Sequence, residues 1–252
     1  MIALASLPAL AASVTLTSPD GVALTGEDFG GGKRAVLLVH DAERSREDFS
    51  TLAPRLASAG YHVLAIDLRG HGQSVHAPAS DADWSPLVGD VEAGVGWLRA
   101  QGATEVHVLG VGAGANLALS AAAATPTVTD LILLAPALNA HGVRVATAIA
   151  PFGARRLLVV ASADDALGLK TATWLQSSAG GPVMVQTYPG AANGPRLLTT
   201  APDLENRIVS WLSATGSADP AAPTAIPSKA GELKTGVTAI PTTGTRIEER
   251  RR

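Results

Sequence analysis

Short, continuous apolar runs rich in Val, Leu and Ile recur along the chain and predict strands that are buried on both faces. These runs are residues 35–39, 63–66, 106–109, 128–135, 156–162 and 183–188. The segments between them carry apolar residues at helical spacing and predict helices. They are residues 48–59, 86–100, 167–179 and 202–212, with an Ala-rich run from about residue 115. Strands that alternate with helices predict an α/β fold, in which a mostly parallel central sheet has helices on both faces.

Two features are expected to modify this alternation. Strand-like runs at residues 14–17 and 22–29 flank the turn sequence Pro19-Asp20-Gly21, which predicts a hairpin before the first parallel strand. About twenty residues separate the strand that ends near residue 135 from the strand that starts near residue 156. Because a lid domain is usually larger than this interval, no lid domain is expected.

The two ends of the chain differ in composition from its centre. Residues 2–12 are apolar and end in Ala9-Leu10-Ala11, the small-x-small pattern that signal peptidase cuts. This pattern predicts the remnant of a secretory signal and a periplasmic or exported protein; the alternatives are an apolar arm packed on the domain and a cytoplasmic location. From residue 215 onward Pro, Thr, Ala and Gly dominate, which predicts either a disordered tail or an extended arm that docks on a protein partner. The expected divisions are residues 1–13, 14–214 and 215–252.

Composition excludes several kinds of site and partner. The 252 residues contain no Cys, which excludes disulfides, thiolate metal sites and a cysteine nucleophile. A net charge of −3 and a pI of about 6.1 give no reason to expect binding to nucleic acid. The apolar run at the N-terminus is too short to span a bilayer, so no integral membrane segment is expected. Four histidines show no ligand spacing, so neither a metal site nor a cofactor is expected: His62, His76, His107 and His141.

Residues 106–119 combine an apolar run, a tight glycine-rich turn and an Ala-rich helical run. This is the context of a nucleophile elbow, G-x-S-x-G, whose central residue carries its side chain above the sheet. Small residues such as Gly110 and Gly114 flank such a turn because the strand and helix backbones approach closely there. The central residue is Gly112, which has no atom that can attack a substrate.

Five segments, taken in order, resemble the α/β-hydrolase family, in particular its small lidless esterases and dienelactone-hydrolase-like members. They are LLVH at residues 37–40, DLRGHGQS at 67–74, GVGAG at 110–114, the acidic pair at 164–165 and YPG at 188–190. The resemblance extends from about residue 14 to residue 213 and implies the α/β-hydrolase fold.

The catalytic triad of that family runs Ser, acid, His along the chain. The resemblance places the nucleophile at Gly112 and the acid at Asp165 or its neighbour Asp164. A solvated loop pair that caps the following helix is an equal interpretation of these two carboxylates. The base position falls on Asn193, and an amide cannot accept and return a proton near neutral pH. The expected triad is therefore vestigial, and no residue is assigned as catalytic.

The resemblance also places an oxyanion hole at the backbone N–H of Ala113 and at an N–H just after His40. The family usually has Gly where this chain has Asp41, and a carboxylate there is expected to repel the anion that the hole stabilises. An ordinary loop residue bonded to local backbone is the alternative for Asp41. His40 is expected to be a packing histidine and His71 to pin its loop, while His71 and Asp164 are also candidates to line a pocket.

The missing nucleophile and base predict that the chain is not an enzyme. It is expected to be a hydrolase-fold pseudoenzyme that serves as a structural or assembly subunit, contacting a protein partner or a second copy of itself through residues 215–252. Two alternatives stay open. One is a ligand-binding module whose pocket, widened at Gly112, holds a small ester, acyl or carbohydrate-like molecule. The other is an active ester hydrolase that uses unconventional residues, such as Asp165 with a water molecule, or His71.

Overall fold

In the computed structural model, residues 11–74, 82–190 and 194–214 are described. The centre of this part of the chain is an eight-stranded sheet with the strand order β1-β2-β4-β3-β5-β6-β9-β10. Its strands are β1 (Ala11–Thr17), β2 (Ala23–Phe29), β3 (Arg34–Val39), β4 (His62–Ile66), β5 (Glu105–Val111), β6 (Val128–Leu134), β9 (Arg156–Ser162) and β10 (Val183–Tyr188). The short strands β7 (Asn139–Ala140) and β8 (Val143–Arg144) form a separate hairpin.

Six strands of the sheet run parallel to one another: β3, β4, β5, β6, β9 and β10. Strand β1 pairs antiparallel with β2, and β2 pairs antiparallel with β4. The five apolar residues 35–39 of β3 are fully buried, as expected for a strand covered on both faces. The predicted α/β fold with a mostly parallel sheet is confirmed, and so is the hairpin before the first parallel strand.

Helices cover both faces of the sheet. They are α1 (Leu52–Ser58), α2 (Val88–Ala100), α3 (Ala113–Ala124), α4 (Val145–Phe152), α5 (Ala166–Ser178), α6 (Leu197–Thr200) and α7 (Leu204–Ser213). Buried side chains of α2, α3, α4 and α5 belong to one apolar cluster, and those of α1, α6 and α7 belong to the other. The sheet therefore separates two hydrophobic cores, and the loops lie at the ends of its strands.

Two predicted helices begin with a separate 3-10 turn. The helix predicted at residues 48–59 is a 3-10 turn (Arg46–Phe49) followed by α1, and the helix predicted at 86–100 is a 3-10 turn (Ser85–Leu87) followed by α2. Pro54 lies in the first turn of α1 and Pro86 in the turn before α2. Proline fits a helix start because its missing N–H has no intrahelical acceptor there, so the regular helix begins close to each proline.

The interval between β6 and β9 shows no lid, as predicted, but it contains structure that the sequence did not predict. The β7–β8 hairpin is followed by α4, whose Val145, Ile149 and Phe152 are buried in the core. These residues have helical spacing, but over 8 residues the pattern is too short to be distinctive. The hairpin matters for function because it brings residues 139–144 back towards the site.

Strand β1 begins at Ala11, so residues 11–13 pair with β2 although they were assigned to an N-terminal arm. Residues 1–10 and 215–252 lie outside the described residues. The signal remnant, the exported location and the docking tail therefore stay predictions. Within the described ranges, none of the helices is long and apolar enough to cross a membrane.

Candidate active site

The carboxyl ends of the parallel strands meet at one edge of the sheet, and polar residues follow several of them. His40 and Asp41 follow β3, Gly112 follows β5, and Asp164 and Asp165 come shortly after β9. Ligands of open α/β sheets bind outside this edge. The residues predicted from the family resemblance are therefore brought to the same edge.

The turn at Gly112 has the geometry of an elbow. Its φ of 55° and ψ of −120° lie in a region that disfavours residues with a side chain. The Gly112 N–H donates to the carbonyl of Leu134 at 2.9 Å, which ties the turn to β6. A Cβ on Gly110 or Gly114 would lie closer than 3.0 Å to backbone atoms of the facing segment. The close approach of backbone segments thus accounts for Gly110 and Gly114, and the positive φ accounts for Gly112.

The space above Gly112 is filled by the carboxylate of Asp41. A Cβ built on Gly112 would lie closer than 3.0 Å to the Asp41 Cγ and to both of its carboxylate oxygens. A Cβ built on Gly194 would lie 3.1 Å from Oδ2 of the same carboxylate. Asp41 therefore stands where the side chain of an elbow nucleophile would stand, a placement that sequence reasoning missed.

Backbone N–H groups hold one oxygen of this carboxylate. Asp41 Oδ1 accepts hydrogen bonds from the N–H of Ala113 at 2.7 Å and from the N–H of Ala42 at 2.8 Å. Asp41 was expected to repel an anion bound in the oxyanion hole. In the structure the Asp41 carboxylate itself occupies the N–H groups of that site. Burial raises the pKa of Asp41 and outweighs the two hydrogen bonds, which lower it.

His40 fixes the start of the loop that carries Asp41. Its ring is buried, its Nε2 accepts from the N–H of Leu68 at 3.0 Å, and its Nδ1 lies 2.7 Å from the carbonyl oxygen of Asp41. Because Nε2 is an acceptor, the proton sits on Nδ1, which donates to that carbonyl. Burial lowers the pKa of His40 to about 4, so the ring is neutral at pH 7. Both nitrogens are thus engaged in positioning the loop.

Three further rings extend from His40 towards the β7–β8 hairpin. The centroid of His71 lies 5.2 Å from that of His40 and 5.4 Å from that of Trp84. The ring of His141 stacks on Trp84 at 4.2 Å with an interplanar angle of 14°. His141 has a φ of 47°, and its carbonyl accepts from the N–H of Trp84 at 2.8 Å. A non-glycine residue in this conformation stores strain, which is often found at functional sites.

The sequence predicts no role for His141, which shows no ligand spacing. The hairpin returns it to the edge of the sheet where Asp41 lies, and its electrostatic interaction with Asp41 acts to lower the pKa of that carboxyl. The signal that could have found it is an imidazole in the interval between β6 and β9, where a hairpin carries it back.

The two carboxylates at the expected acid position have structural contacts. Asp165 Oδ1 accepts from the N–H of Leu167 at 3.0 Å and caps α5, while Asp164 Oδ2 accepts from the N–H of Gly190 at 2.8 Å. His71 donates from Nδ1 to the carbonyl of Arg69 at 3.0 Å. Asn193, at the expected base position, lies outside the described residues.

Comparison with known proteins identifies the family. A family model described as serine aminopeptidase S33 matches residues 31–177, which is more than half of the chain. An epoxide hydrolase B of Mycobacterium tuberculosis is 41% identical over 76 residues, which are 30% of this chain and 20% of that protein. The match thus spans about a fifth of the length of that relative.

Solved structures share the fold at low sequence identity. An esterase of Pyrococcus furiosus superposes with a TM-score of 0.69 at 18% identity, covering 84% of this chain and 95% of that one. A dienelactone hydrolase of Anabaena variabilis superposes with a TM-score of 0.68 at 19% identity, covering 82% and 96%. These similarities establish the α/β-hydrolase fold.

The expectation that the chain is not an enzyme is wrong, because the matching family model is one of hydrolases and the partial sequence relative is also a hydrolase. That expectation rested on Gly112 at the nucleophile position and Asn193 at the base position, and it overlooked the carboxylate that fills the space above Gly112. The chain belongs to the serine aminopeptidase S33 family of α/β-hydrolases.

Proposed function

We propose that this chain is a hydrolase in which the carboxylate of Asp41, instead of a side chain at position 112, attacks the substrate. The observation that carries the proposal is the placement of that carboxylate above Gly112 with Oδ1 held by two backbone N–H groups. Carboxylates act as nucleophiles in several classes of hydrolase. The raised pKa of Asp41 supports this role, since a more basic carboxylate is a better nucleophile.

The occupied N–H groups favour one kind of electrophile over another. In ester hydrolysis of the serine type, the N–H groups at the elbow bind the carbonyl oxygen of the substrate. Here Asp41 Oδ1 already accepts from Ala113 and Ala42, so a substrate carbonyl would have to displace it. An alkyl carbon of a strained ring needs no such site, because the carboxylate can attack it with its other oxygen. We therefore favour an epoxide as substrate, in keeping with the partial match to an epoxide hydrolase.

The proposed reaction has two steps. In the first, Oδ2 attacks an epoxide carbon, the ring C–O bond breaks, and its oxygen takes a proton from a protonated base, leaving an ester on Asp41. In the second, the base takes a proton from water as the water oxygen bonds to Cγ. The negative charge then rests on Oδ1, where the Ala113 and Ala42 N–H groups stabilise it. The Cγ–Oδ2 bond breaks, the new carboxyl proton passes to Oδ2, and the diol leaves.

We assign the base to His141. Both ring nitrogens of His40 are hydrogen-bonded to backbone groups, which leaves His40 no role in proton transfer. His71 donates from Nδ1 to the carbonyl of Arg69, which leaves its Nε2 as an acceptor, so His71 is the alternative base. His141 stacks on Trp84 at the same edge of the sheet and interacts electrostatically with Asp41. His141→Gln is expected to lower kcat with styrene oxide about 10²-fold, because the same base donates a proton when the ester forms and takes one when the ester is hydrolysed. His71→Gln is expected to have a smaller effect; a larger one would move the assignment to His71.

The proposal is tested by hydrolysis of styrene oxide. Asp41→Asn preserves the shape of the side chain and its ability to accept from Ala113 and Ala42, but removes the nucleophile. We expect kcat to fall by at least ~10³-fold. The matched control is Asp130→Asn, which changes a buried carboxylate near the opposite end of β6 and is expected to keep kcat. Equal activity of Asp41→Asn and the unsubstituted protein would overturn the proposal.

A further inference from the structure

Two exposed leucines lie on the rim of one cleft near the proposed nucleophile. Among the described residues, the large hydrophobic side chains that are exposed are Leu138, at 41%, and Leu167, at 75%. Both line a cleft of about 460 Å³, together with the turn that follows β6 and the first turns of α5. Exposed apolar side chains that converge on a cavity of this size are typical of ligand-binding sites.

The chemistry of the cleft wall points to a neutral occupant. Its described lining, which consists of residues 135–139 and residues at the start of α5, includes no Lys or Arg. The hydroxyl of Thr171 donates to the carbonyl of Leu167 at 2.9 Å, so it is engaged within α5. The remaining charge in the lining is the carboxylate of Asp165, which disfavours an anion.

Strand register places this cleft beside Asp41. Val111 of β5 is paired with Leu134 of β6, so the next residues, Gly112 and Ala135, are neighbours across the two strands. Neighbouring strands lie about 4.8 Å apart. Ala135 lines the cleft, and the Asp41 carboxylate stands above Gly112. The cleft wall at Ala135 therefore lies about one strand spacing from the backbone of Gly112, above which Asp41 stands.

We propose that this cleft binds the apolar substituent of a neutral, terminal epoxide whose ring carbon is held at Asp41. The inference rests on the proposed function and adds the substrate class. An epoxide with a phenyl or short alkyl group would bury that group between Leu138 and Leu167, and an epoxide with a carboxylate substituent would be rejected by Asp165.

Three epoxides that differ in one substituent test this selectivity: styrene oxide, propylene oxide and glycidate. We expect kcat/KM to be at least about tenfold higher for the phenyl compound than for the methyl compound, and lowest for the anionic compound. A preference for glycidate would overturn the inference.

Variants test whether the cleft leucines cause this preference for the phenyl substituent. The double variant Leu138→Ser/Leu167→Ser is expected to lower the phenyl-to-methyl ratio of kcat/KM about tenfold, chiefly through KM. The matched control is Val209→Ser, since Val209 lines a different cleft, between α1 and α7. The control is expected to keep the ratio of the unsubstituted protein. If the control shifts the ratio as much as the double variant does, the inference fails.

A binding measurement separates failure of this inference from failure of the proposed function. The diol product 1-phenylethane-1,2-diol is unreactive, and its Kd can be measured by NMR titration of the full chain. Binding that weakens about tenfold in the double variant, with no epoxide turnover, would support the cleft and contradict the proposed function. Turnover that depends on Asp41 would support the proposed function. If the double variant left diol binding and the phenyl-to-methyl ratio of kcat/KM unchanged, the role of the cleft would be contradicted. Absence of both turnover and diol binding would overturn both.

Discussion

A carboxylate near each end of the parallel strands shows how its partners decide its role. Asp130 lies near the start of β6 and is paired in register with Arg156, the first residue of β9. The Arg156 guanidinium donates to both Asp130 oxygens, at 3.0 and 2.8 Å, and His107 Nδ1 lies 3.2 Å from Oδ2. Burial acts to raise the pKa of Asp130, but the contacts with His107 and Arg156 outweigh it and the pKa is lowered. The Arg156 guanidinium holds this carboxylate ionised, and the pair joins β6 to β9.

Asp41, at the carboxyl end of β3, accepts its hydrogen bonds from backbone N–H groups instead of a guanidinium. Burial then outweighs these hydrogen bonds, and the pKa of Asp41 is raised. Oδ1 is fixed by two donors, while the side of the carboxylate that carries Oδ2 faces Gly194. The comparison teaches that a carboxylate compensated by a cation stabilises the fold, whereas one held by N–H dipoles alone keeps a basic oxygen for chemistry.

Apart from Asp41→Asn itself, the largest loss of activity in this comparison is expected from Gly112→Ala. The added Cβ would collide with the Asp41 carboxylate, and the alanine would have to adopt the positive φ of Gly112. We expect kcat with styrene oxide to fall at least ~10²-fold, because a displacement of about 1 Å in a catalytic group has effects of this size. The measurement is steady-state hydrolysis at saturating epoxide.

Gly60→Ala is the matched control for backbone strain. Gly60 has a φ of 89°, and a Cβ there would meet nothing within 4 Å. Both variants should lose about 1 kcal/mol of unfolding free energy from the positive φ, but Gly60→Ala should keep its kcat. If both variants lost activity equally, the position of Asp41 would not be the cause.

Asp130→Asn is expected to affect stability instead of catalysis. The substitution leaves the guanidinium of Arg156 and the ring of His107 with a weaker, neutral partner. We expect a loss of about 1–3 kcal/mol of unfolding free energy in urea titrations, while Asp41→Asn, which removes a half-buried charge, should lose less than about 1 kcal/mol. The reverse order would contradict the division of roles between the two carboxylates.

Much of the fold follows from local sequence patterns, and the chemistry of the site does not. The continuous apolar runs predict strands because, in a strand buried on both faces, every side chain points into the hydrophobic core. The elbow is visible because close backbone contacts require Gly110 and Gly114, and a positive φ favours glycine at Gly112. The direction of the Asp41 side chain depends on where β3 lies relative to β5, which no local pattern encodes. The return of His141 to the same edge depends on an unpredicted hairpin.

The smallest expected effect is the opposite pH dependence of stability at the two carboxylates. The folded pKa of Asp130 is below the ordinary 3.8, so its contribution is complete above the unfolded pKa and is lost as the pH falls through the folded pKa. The folded pKa of Asp41 is above 3.8, so its contribution is present below the unfolded pKa and is lost as the pH rises through the folded pKa.

Urea unfolding from about pH 3 to about pH 7 measures both slopes. Asp130→Asn should remove stability that the unsubstituted protein gains with rising pH, and Asp41→Asn should remove a loss of stability just above pH 3.8. Changes of the same sign in the two variants would contradict the pKa directions. In the unsubstituted protein, kcat/KM should rise as the pH increases through the raised pKa of Asp41, because the attacking form is ionised.

The most direct test of the central claim is a single turnover of styrene oxide in water enriched in oxygen-18, with the full chain in excess over substrate. If the Asp41 carboxylate attacks the epoxide and water then attacks Cγ, the first diol carries an ordinary oxygen from Asp41 and the label appears in the Asp41 carboxylate, located by peptide mass spectrometry. Label in the diol after the first turnover, with an unlabelled Asp41, would contradict the account.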